Sequence, residues 1–410
     1  SSRLARLARA RHDPSMRADR KNVLVLSTCQ MLSGSCRTLL SATAPLVAYT
    51  IVSEKALATL PISCIVAGTA IATMPAAVVM RRFGRRAGFV IGAALVVMGG
   101  LVCTWATLIA QFWLFSFGTF LFGLSAGFAQ LYRFAATDVA APAYRSRAIS
   151  LVLAGGVVAA FVGPELAKAG YRLFAVPFAG GYLMMAGVGI CTVAAVLLLD
   201  IPQPVKAGHE GPQRPLKAIM AQPAFIVSTL VAAVAQGTMS FLMTATPIAM
   251  QQCSLDFRDT AFVIEWHSFA MFAPGFVTGR LIERYGAFGI IKAGLVLQLV
   301  CVAVALTGQD VSQFWLSMVL LGVGWNFCFT AATALLVETY RPAERHGAQG
   351  ATNFIIYGVV AVLSLSSGAL VHYFGWVWVN LGALPLIALS ATAALWLAAR
   401  GTAAKPSPAE

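Results

Sequence analysis

Twelve apolar stretches, each longer than 20 residues and most of them closed by Gly, Pro or charged residues, leave this chain few folds to choose from. A membrane-crossing helix needs roughly 20 mostly apolar residues. The stretches are 22–50, 56–80, 87–108, 112–139, 147–170, 178–199, 220–251, 259–281, 287–308, 312–338, 348–373 and 376–399. They are continuous, without the period-two alternation that a membrane β-barrel requires. Charged residues make up 11% of the chain and hydrophobic residues 59%, against about 25% charged in an ordinary soluble domain. The expected fold is therefore an all-α membrane protein of twelve transmembrane helices, and the lipid bilayer is its first partner.

The net charge of +14 raises the question of nucleic-acid binding, and its distribution answers it. With the N-terminus placed in the cytoplasm, 23 of the 29 basic residues fall in cytoplasmic segments and four (Lys55, Lys168, Arg172 and Arg258) outside. The other two, Arg37 and Arg133, fall inside spans. Cytoplasmic loops of membrane proteins collect Lys and Arg, so the charge reads as topology, with both termini cytoplasmic and no nucleic-acid partner. The expected organisation is a cytoplasmic N-terminal extension (1–21), a six-helix bundle (22–199), a polar linker (200–219), a second six-helix bundle (220–399) and a cytoplasmic tail (400–410). The linker contains the run PQPVKAGHEGPQRP, rich in Pro, Gly and charge.

The two bundles read as copies. APAYRSRAIS (141–150) aligns with RPAERHGAQG (341–350), MRRFGRRAG (80–88) with IERYGAFGI (282–290), SATAPLVA (41–48) with MTATPIAM (243–250), and FWLF (112–115) with FWLS (314–317). The offsets are 200 or 202 residues throughout, in the same order. Internal duplication of a helical bundle is how many transporters build alternating access.

These features resemble the major facilitator superfamily over nearly the whole chain. Its loop signature between helices two and three, G-x-L-a-D-R-x-G-R-R, recurs between helices eight and nine. Gly279, Leu281, Glu283, Arg284 and Gly286 match it in the second half, with Glu in place of Asp. Arg82, Gly84, Arg85 and Arg86 match it in the first half, where Arg81 occupies the acidic position and Ala77 that of the leading Gly. In helix five, Gly155, Gly156, Gly163 and Pro164 resemble the Gly-Pro packing element of antiporter members. The runs YRFAATD, YRSRAISLVLAGGVVAAFVGP and GVGWNF are similar to a bacterial branch that includes riboflavin transporters. The resemblance implies secondary transport by alternating access, in a plasma (inner) membrane, by a monomer, with helices one, four, seven and ten lining the cavity.

Polar side chains inside apolar spans are functional candidates because each is costly there. Gln30, Ser33, Arg37 and Ser41 share one face of helix one. Arg37 has two readings, a substrate-facing charge or an ion pair with Glu165. Ala126, Gln130, Arg133 and Thr137 make a second face, on helix four. Helix seven carries Gln236, Ser240 and Thr244, helix ten carries Trp325 and Asn326, and helix eleven carries Asn353. Glu165, Glu265 and His267 are candidates for proton coupling or for an outer gate. A buried carboxyl can be balanced between its neutral and charged forms, and Glu265 is the first choice as proton carrier. At the inner end, Arg82, Arg85 and Arg86 are expected to pair with Asp138, and Arg284 and Arg345 with Glu283 and Glu338, forming an inner gate.

No P-loop, HExxH or GxSxG motif is present, so no enzyme is expected. No cofactor or metal site is expected either, since none of the eight cysteines forms a CxxC pair. The expected function is proton-coupled secondary transport of a small organic solute. Arg37 and Arg133 point to an anion, while the narrower resemblance implies a neutral, planar, riboflavin-like metabolite. An organic-anion or drug efflux antiporter, or a non-transporting receptor on the same fold, are the alternatives.

Overall fold

The computed structural model describes residues 14–132, 135, 136, 145–201 and 214–400. Its helices are α1 (Pro14–Ile51), α2 (Leu60–Phe83), α3 (Arg85–Leu108), α4 (Phe112–Ala129), α5 (Arg145–Gly170) and α6 (Ala179–Leu197) in the first half of the sequence. The second half holds α7 (Pro223–Gln252), α8 (Phe257–Phe272), α9 (Gly275–Ala305), α10 (Val311–Val337) and α11 (Arg345–Ala399). No strand occurs among the described residues.

Two of these helices contain breaks. Gly286 within α9 has φ 73°, and Gly375 within α11 has φ 79°. Left-handed backbone is strained for residues with a Cβ, so each glycine turns the chain without that penalty. With these breaks, α8 and the start of α9 form one span, the rest of α9 a second, and α11 supplies two more. Among the described residues the helices thus resolve into the twelve spans expected. The break at Gly375 falls between the expected boundaries 373 and 376. Gly84, the repeat counterpart of Gly286, has φ 89° between α2 and α3. A Cβ at either would meet nothing within 4 Å, so backbone conformation alone demands glycine at both.

Span four is interrupted inside its expected extent of 112–139. The α-helix stops at Ala129, where the Leu131 N–H bonds to the Phe128 carbonyl at 3.0 Å, a tighter i−3 closure common where helices stop. Helix resumes at Tyr132, with Ala135 and Ala136 helical and the Ala135 N–H bonding to the Leu131 carbonyl at 2.9 Å. Arg133 and Asp138 lie outside the described residues, as do most of the linker, the first 13 residues and the tail.

The described chain forms two compact units, one holding residues 14–40 and 67–201, the other 41–66 and 214–400. This division differs from the expected halves in the stretch 41–66, which packs within the second unit. There Thr59 Oγ1 donates to the Leu365 carbonyl and Ser63 Oγ to the Ala361 carbonyl, both at 3.2 Å. The Tyr373 hydroxyl donates to Glu54 at 3.1 Å.

In the first unit α5 lies against α1 through small residues. A Cβ on Gly155 would sit 2.6 Å from the Ser27 carbonyl oxygen, and one on Gly163 would overlap Thr38 Oγ1 and the Ser35 carbonyl. Ala159 lies between them at the same four-residue spacing and accepts a 2.9 Å hydrogen bond from Thr38 Oγ1. Small residues let helix backbones approach closely in lipid, where packing and interhelical hydrogen bonds replace the hydrophobic effect. Asn22 ties the start of α1 to the end of α6, donating to the Asp200 carbonyl at 2.7 Å and accepting its N–H at 3.0 Å.

In the second unit α7 is the most enclosed helix. Of its most apolar 18 residues 83% are buried, against 33% for α11. Reciprocal close approach of Gly294 and Gly324 joins α9 to α10, where a Cβ on either would lie within 3 Å of the other's carbonyl oxygen.

Candidate functional site

The polar residues of the second unit separate into those spent on helix packing and those left partly open. Asn326, on α10, belongs to the first kind. Its Oδ1 accepts from Thr278 Oγ1 at 2.6 Å and its Nδ2 donates to the Met271 carbonyl at 2.7 Å. The amide thereby stitches α10 to the break between α8 and α9. His267 is likewise enclosed, at 0% exposure, with Nδ1 2.7 Å from the Met318 carbonyl oxygen. Both were expected at a functional surface, and both sit between packed helices.

One residue earlier on α10 the side chain takes a different direction, since neighbours on a helix point about 100° apart. Trp325 is half-buried and its Nε1–H donates to Gln236 Oε1 of α7 at 2.8 Å. Its ring stacks on Phe329, one turn along, with centroids 5.2 Å apart and planes inclined by 17°. Phe272 at the end of α8 meets it edge-on at 6.4 Å. Three helices thus supply an aromatic surface with an amide at its side. Phe329 and Phe272 escape a search for polar residues in spans; for Phe329 the signal is the i,i+4 aromatic spacing with Trp325 on α10. Further along α7, Ser240 and Thr244 are buried, while Asn353 on α11 is half-buried.

In the first unit, Gln30 and Ser33 are half-buried and Arg37 is exposed on one face of α1, while the flanking Cys36, Leu39 and Leu40 are buried. Arg37 makes no hydrogen bond or ion pair with any described residue. The expected pair with Glu165 is absent, because Glu165 bonds to Lys168, one turn along α5, at 2.8 Å. A same-helix partner three residues away is reached without any shift of a helix. Gln130, in the turn after α4, is half-buried, as is Glu265 on α8.

Of the inner-gate pairs read in the sequence, those of Arg82, Arg85 and Arg86 involve Asp138, which lies outside the described residues. Glu283, Arg284, Glu338 and Arg345 are exposed, and Arg284 lies over the adjacent Tyr285 ring at 5.3 Å. Arg82 lies over Phe83 in the equivalent position of the first half, at 5.2 Å. Neither Glu283 nor Glu338 pairs with Arg284 or with any other described residue. Arg85 has its Nε buried, Arg86 is exposed, and Gly279 lies inside α9 with open space beside it.

The buried carboxylate near this end is Glu344, which the sequence reading did not single out. Arg214 grips it through Nε at 2.8 Å, through Nη2 at 2.7 Å and through its backbone N–H at 2.9 Å. The Arg341 N–H adds a fourth bond at 2.9 Å. Led by the Arg214 side chain and then the Arg341 N–H, these donors hold the Glu344 carboxyl well below the usual carboxylate range. Arg214 Nη2 and the Gln222 amide both also reach the Thr339 carbonyl. The end of the linker is thus fastened to the turn before α11. The signal for Glu344 is the capping arrangement in Arg-Pro-Ala-Glu, where its side chain accepts the Arg341 N–H.

Among the described residues no group of His, Cys, Asp and Glu is placed to hold a metal ion.

Comparison with known proteins places this geometry. The model of the Major Facilitator Superfamily matches residues 26–365 and 267–410. The chain is 40% identical over 378 residues to the riboflavin transporter RfnT of Brucella anthropi, covering 91% of this chain and 94% of that protein. It is 26% identical to the uncharacterized MFS-type transporter YddS of Bacillus subtilis, covering 86% and 85% of the two chains. Among solved structures, it matches a bacterial homolog of the human lysosomal transporter Spinster with a TM-score of 0.72 at 16% identity, over 94% of this chain and 98% of that one. At that identity the likeness is one of fold.

Proposed function

The chain belongs to the Major Facilitator Superfamily of multi-pass membrane transporters, and on that premise we propose that it carries riboflavin or a closely similar flavin, coupled to protons. The observation that carries the reading is the 40% identity to a riboflavin transporter across 91% of the chain. The half-buried stacked pair Trp325–Phe329 beside Gln236 supports it. A flavin is a flat ring system with polar groups at its rim. It gains from stacking on aromatic faces and from a few placed polar groups.

Transport follows from alternating access between the two repeats. The solute moves that equilibrium only as far as its affinity differs between the two states. Both termini lie on the cytoplasmic side in this reading, supported by the placement of 23 of the 29 basic residues. Glu265 is the proposed proton carrier, as a half-buried carboxyl within a span. Glu165, held by Lys168, is second.

Purified protein in liposomes tests this. Riboflavin uptake should rise with an imposed pH gradient, and Glu265→Gln should abolish that response while leaving exchange of labelled for unlabelled riboflavin. Flux indifferent to both gradient and substitution would remove proton coupling. Absence of riboflavin flux and binding would remove the substrate.

A second reading, an organic anion, is favoured by Arg37, exposed on α1 without a partner among the described residues. Stabilisation by flavins that persists unchanged in Arg37→Ala would exclude a substrate charge contact at that position.

A further inference from the structure

The hydrogen bond between Trp325 and Gln236 fixes more than two side chains. An indole N–H only donates, so the atom of Gln236 facing it at 2.8 Å must be the amide oxygen. The two ends of a glutamine amide otherwise look alike and can exchange. Here the exchange is blocked, because it would set an NH2 group against an N–H. Gln236 Oε1 is occupied, and Nε2 donates to no described residue. The half-buried amide therefore keeps both N–H donors of Nε2 unspent on the described protein.

The aromatic surface is also oriented. Phe329 stacks nearly parallel to Trp325, and Phe272 closes one edge. The indole is thus held at its nitrogen and along one face, which fixes the direction of the part of its surface that stays exposed.

We infer that Gln236, locked by Trp325, is the specificity-determining residue of this site: it selects planar heteroaromatic ligands that turn a carbonyl, and not an amino group, toward α7. The inference rests on the flavin reading for its ligand class, since the pyrimidinedione end of an isoalloxazine carries two rim carbonyls. It deepens that reading by assigning the rim contact to one donor and its orientation to one neighbour.

Two small probes of the same shape separate the possibilities. Lumazine, a 2,4-dioxopteridine, shows carbonyls where 2,4-diaminopteridine shows amino groups. Binding of each to the full-length protein in detergent is read by ligand or tryptophan fluorescence. The wild type should bind the dione about tenfold more tightly than the diamine, the difference between a satisfied and an unpaired buried polar group. Gln236→Met keeps the chain length and removes the donor. It should weaken the dione about tenfold and leave the diamine unchanged. Trp325→Phe keeps an aromatic face and releases the amide, which can then turn its carbonyl to the diamine. The preference should collapse there too, but through a gain by the diamine relative to the dione.

Equal binding of the two probes by the wild type, or preference for the diamine, overturns the inference, whatever the variants do. So does a dione preference that survives in Gln236→Met or in Trp325→Phe. The two levels of the argument fail separately. A dione preference without riboflavin flux removes the substrate and leaves the rim contact standing. Riboflavin flux without a dione preference does the reverse.

Discussion

Replacing Gly163 with alanine adds one methyl group at the closest approach of α5 to α1. That Cβ would overlap Thr38 Oγ1 and the Ser35 carbonyl oxygen and stand 2.9 Å from the Leu39 nitrogen. Two of these three atoms are backbone, so no side-chain rotation clears the space, and the helices must separate locally. Overpacking of this kind costs about 1–3 kcal/mol. Separation also stretches the 2.9 Å bond from Thr38 Oγ1 to the Ala159 carbonyl, worth about 0.6 kcal/mol as an interhelical bond in a membrane protein. Alanine recovers about 1 kcal/mol through its higher helix propensity. The net expectation is a loss of about 0.5–2.5 kcal/mol.

The control is Gly187→Ala in α6, where a Cβ meets nothing within 4 Å. That change gains helix propensity without a clash, so it should be neutral or stabilising by up to about 1 kcal/mol. Equilibrium unfolding in mixed detergent micelles measures both. A third variant, Thr38→Ala with Gly163→Ala, removes one of the overlapping atoms, so its loss should be smaller than the sum of the two single losses. If Gly163→Ala proves as stable as Gly187→Ala, or the double variant is merely additive, the close contact is not what requires glycine at 163.

Other outcomes follow from the same structure. Gly286→Asn and Gly286→Val should both destabilise, by about 1–3 kcal/mol, because φ 73° with ψ 157° is a region that essentially only glycine adopts, and the β-branched Val should be the worse of the two. The same unfolding measurement ranks the two. Glu344→Gln should lower the melting temperature at neutral pH. The Glu344 carboxyl is depressed in the folded protein, so its stabilisation is complete above the unfolded value near 4.5 and is lost as pH falls toward the lower folded one. The melting-temperature gap between wild type and variant should therefore stay flat from pH 6 to 8 and shrink only in acid.

The spans and their turns were legible in the sequence because the bilayer imposes a length and a polarity that single residues report. Gly84 and Gly286 could be named as turns from the repeat alone, and both have the left-handed backbone that makes glycine necessary. The interruption after Ala129 was not legible. The apolar pattern continues across it, and no Gly or Pro marks it. Glu165 had two candidate cations, Lys168 three residues on and Arg37 on another helix, and it bonds to Lys168. A sequence does not show which of the two lies nearer.

Glu344 illustrates the harder limit. Its repeat counterpart is Tyr144, so the duplication that exposed Arg345 hid the residue beside it. Its main partner, Arg214, is 130 residues away at the end of the linker. A buried carboxylate with a distant partner leaves no periodic trace. The neighbours Trp325 and Asn326 make the same point about function. Both are polar-capable residues in an apolar helix, adjacent and equally eligible from the sequence. What separates them is where their hydrogen bonds end: Asn326 uses both ends of its amide on Thr278 and Met271, whereas Trp325 uses its single donor to fix Gln236, whose NH2 donates to no described residue. A polar residue in a span is costly unless it is paired, so pairing alone does not mark a site. The better mark is a partner whose second polar group remains unspent, and Gln236 meets it where Asn326 does not.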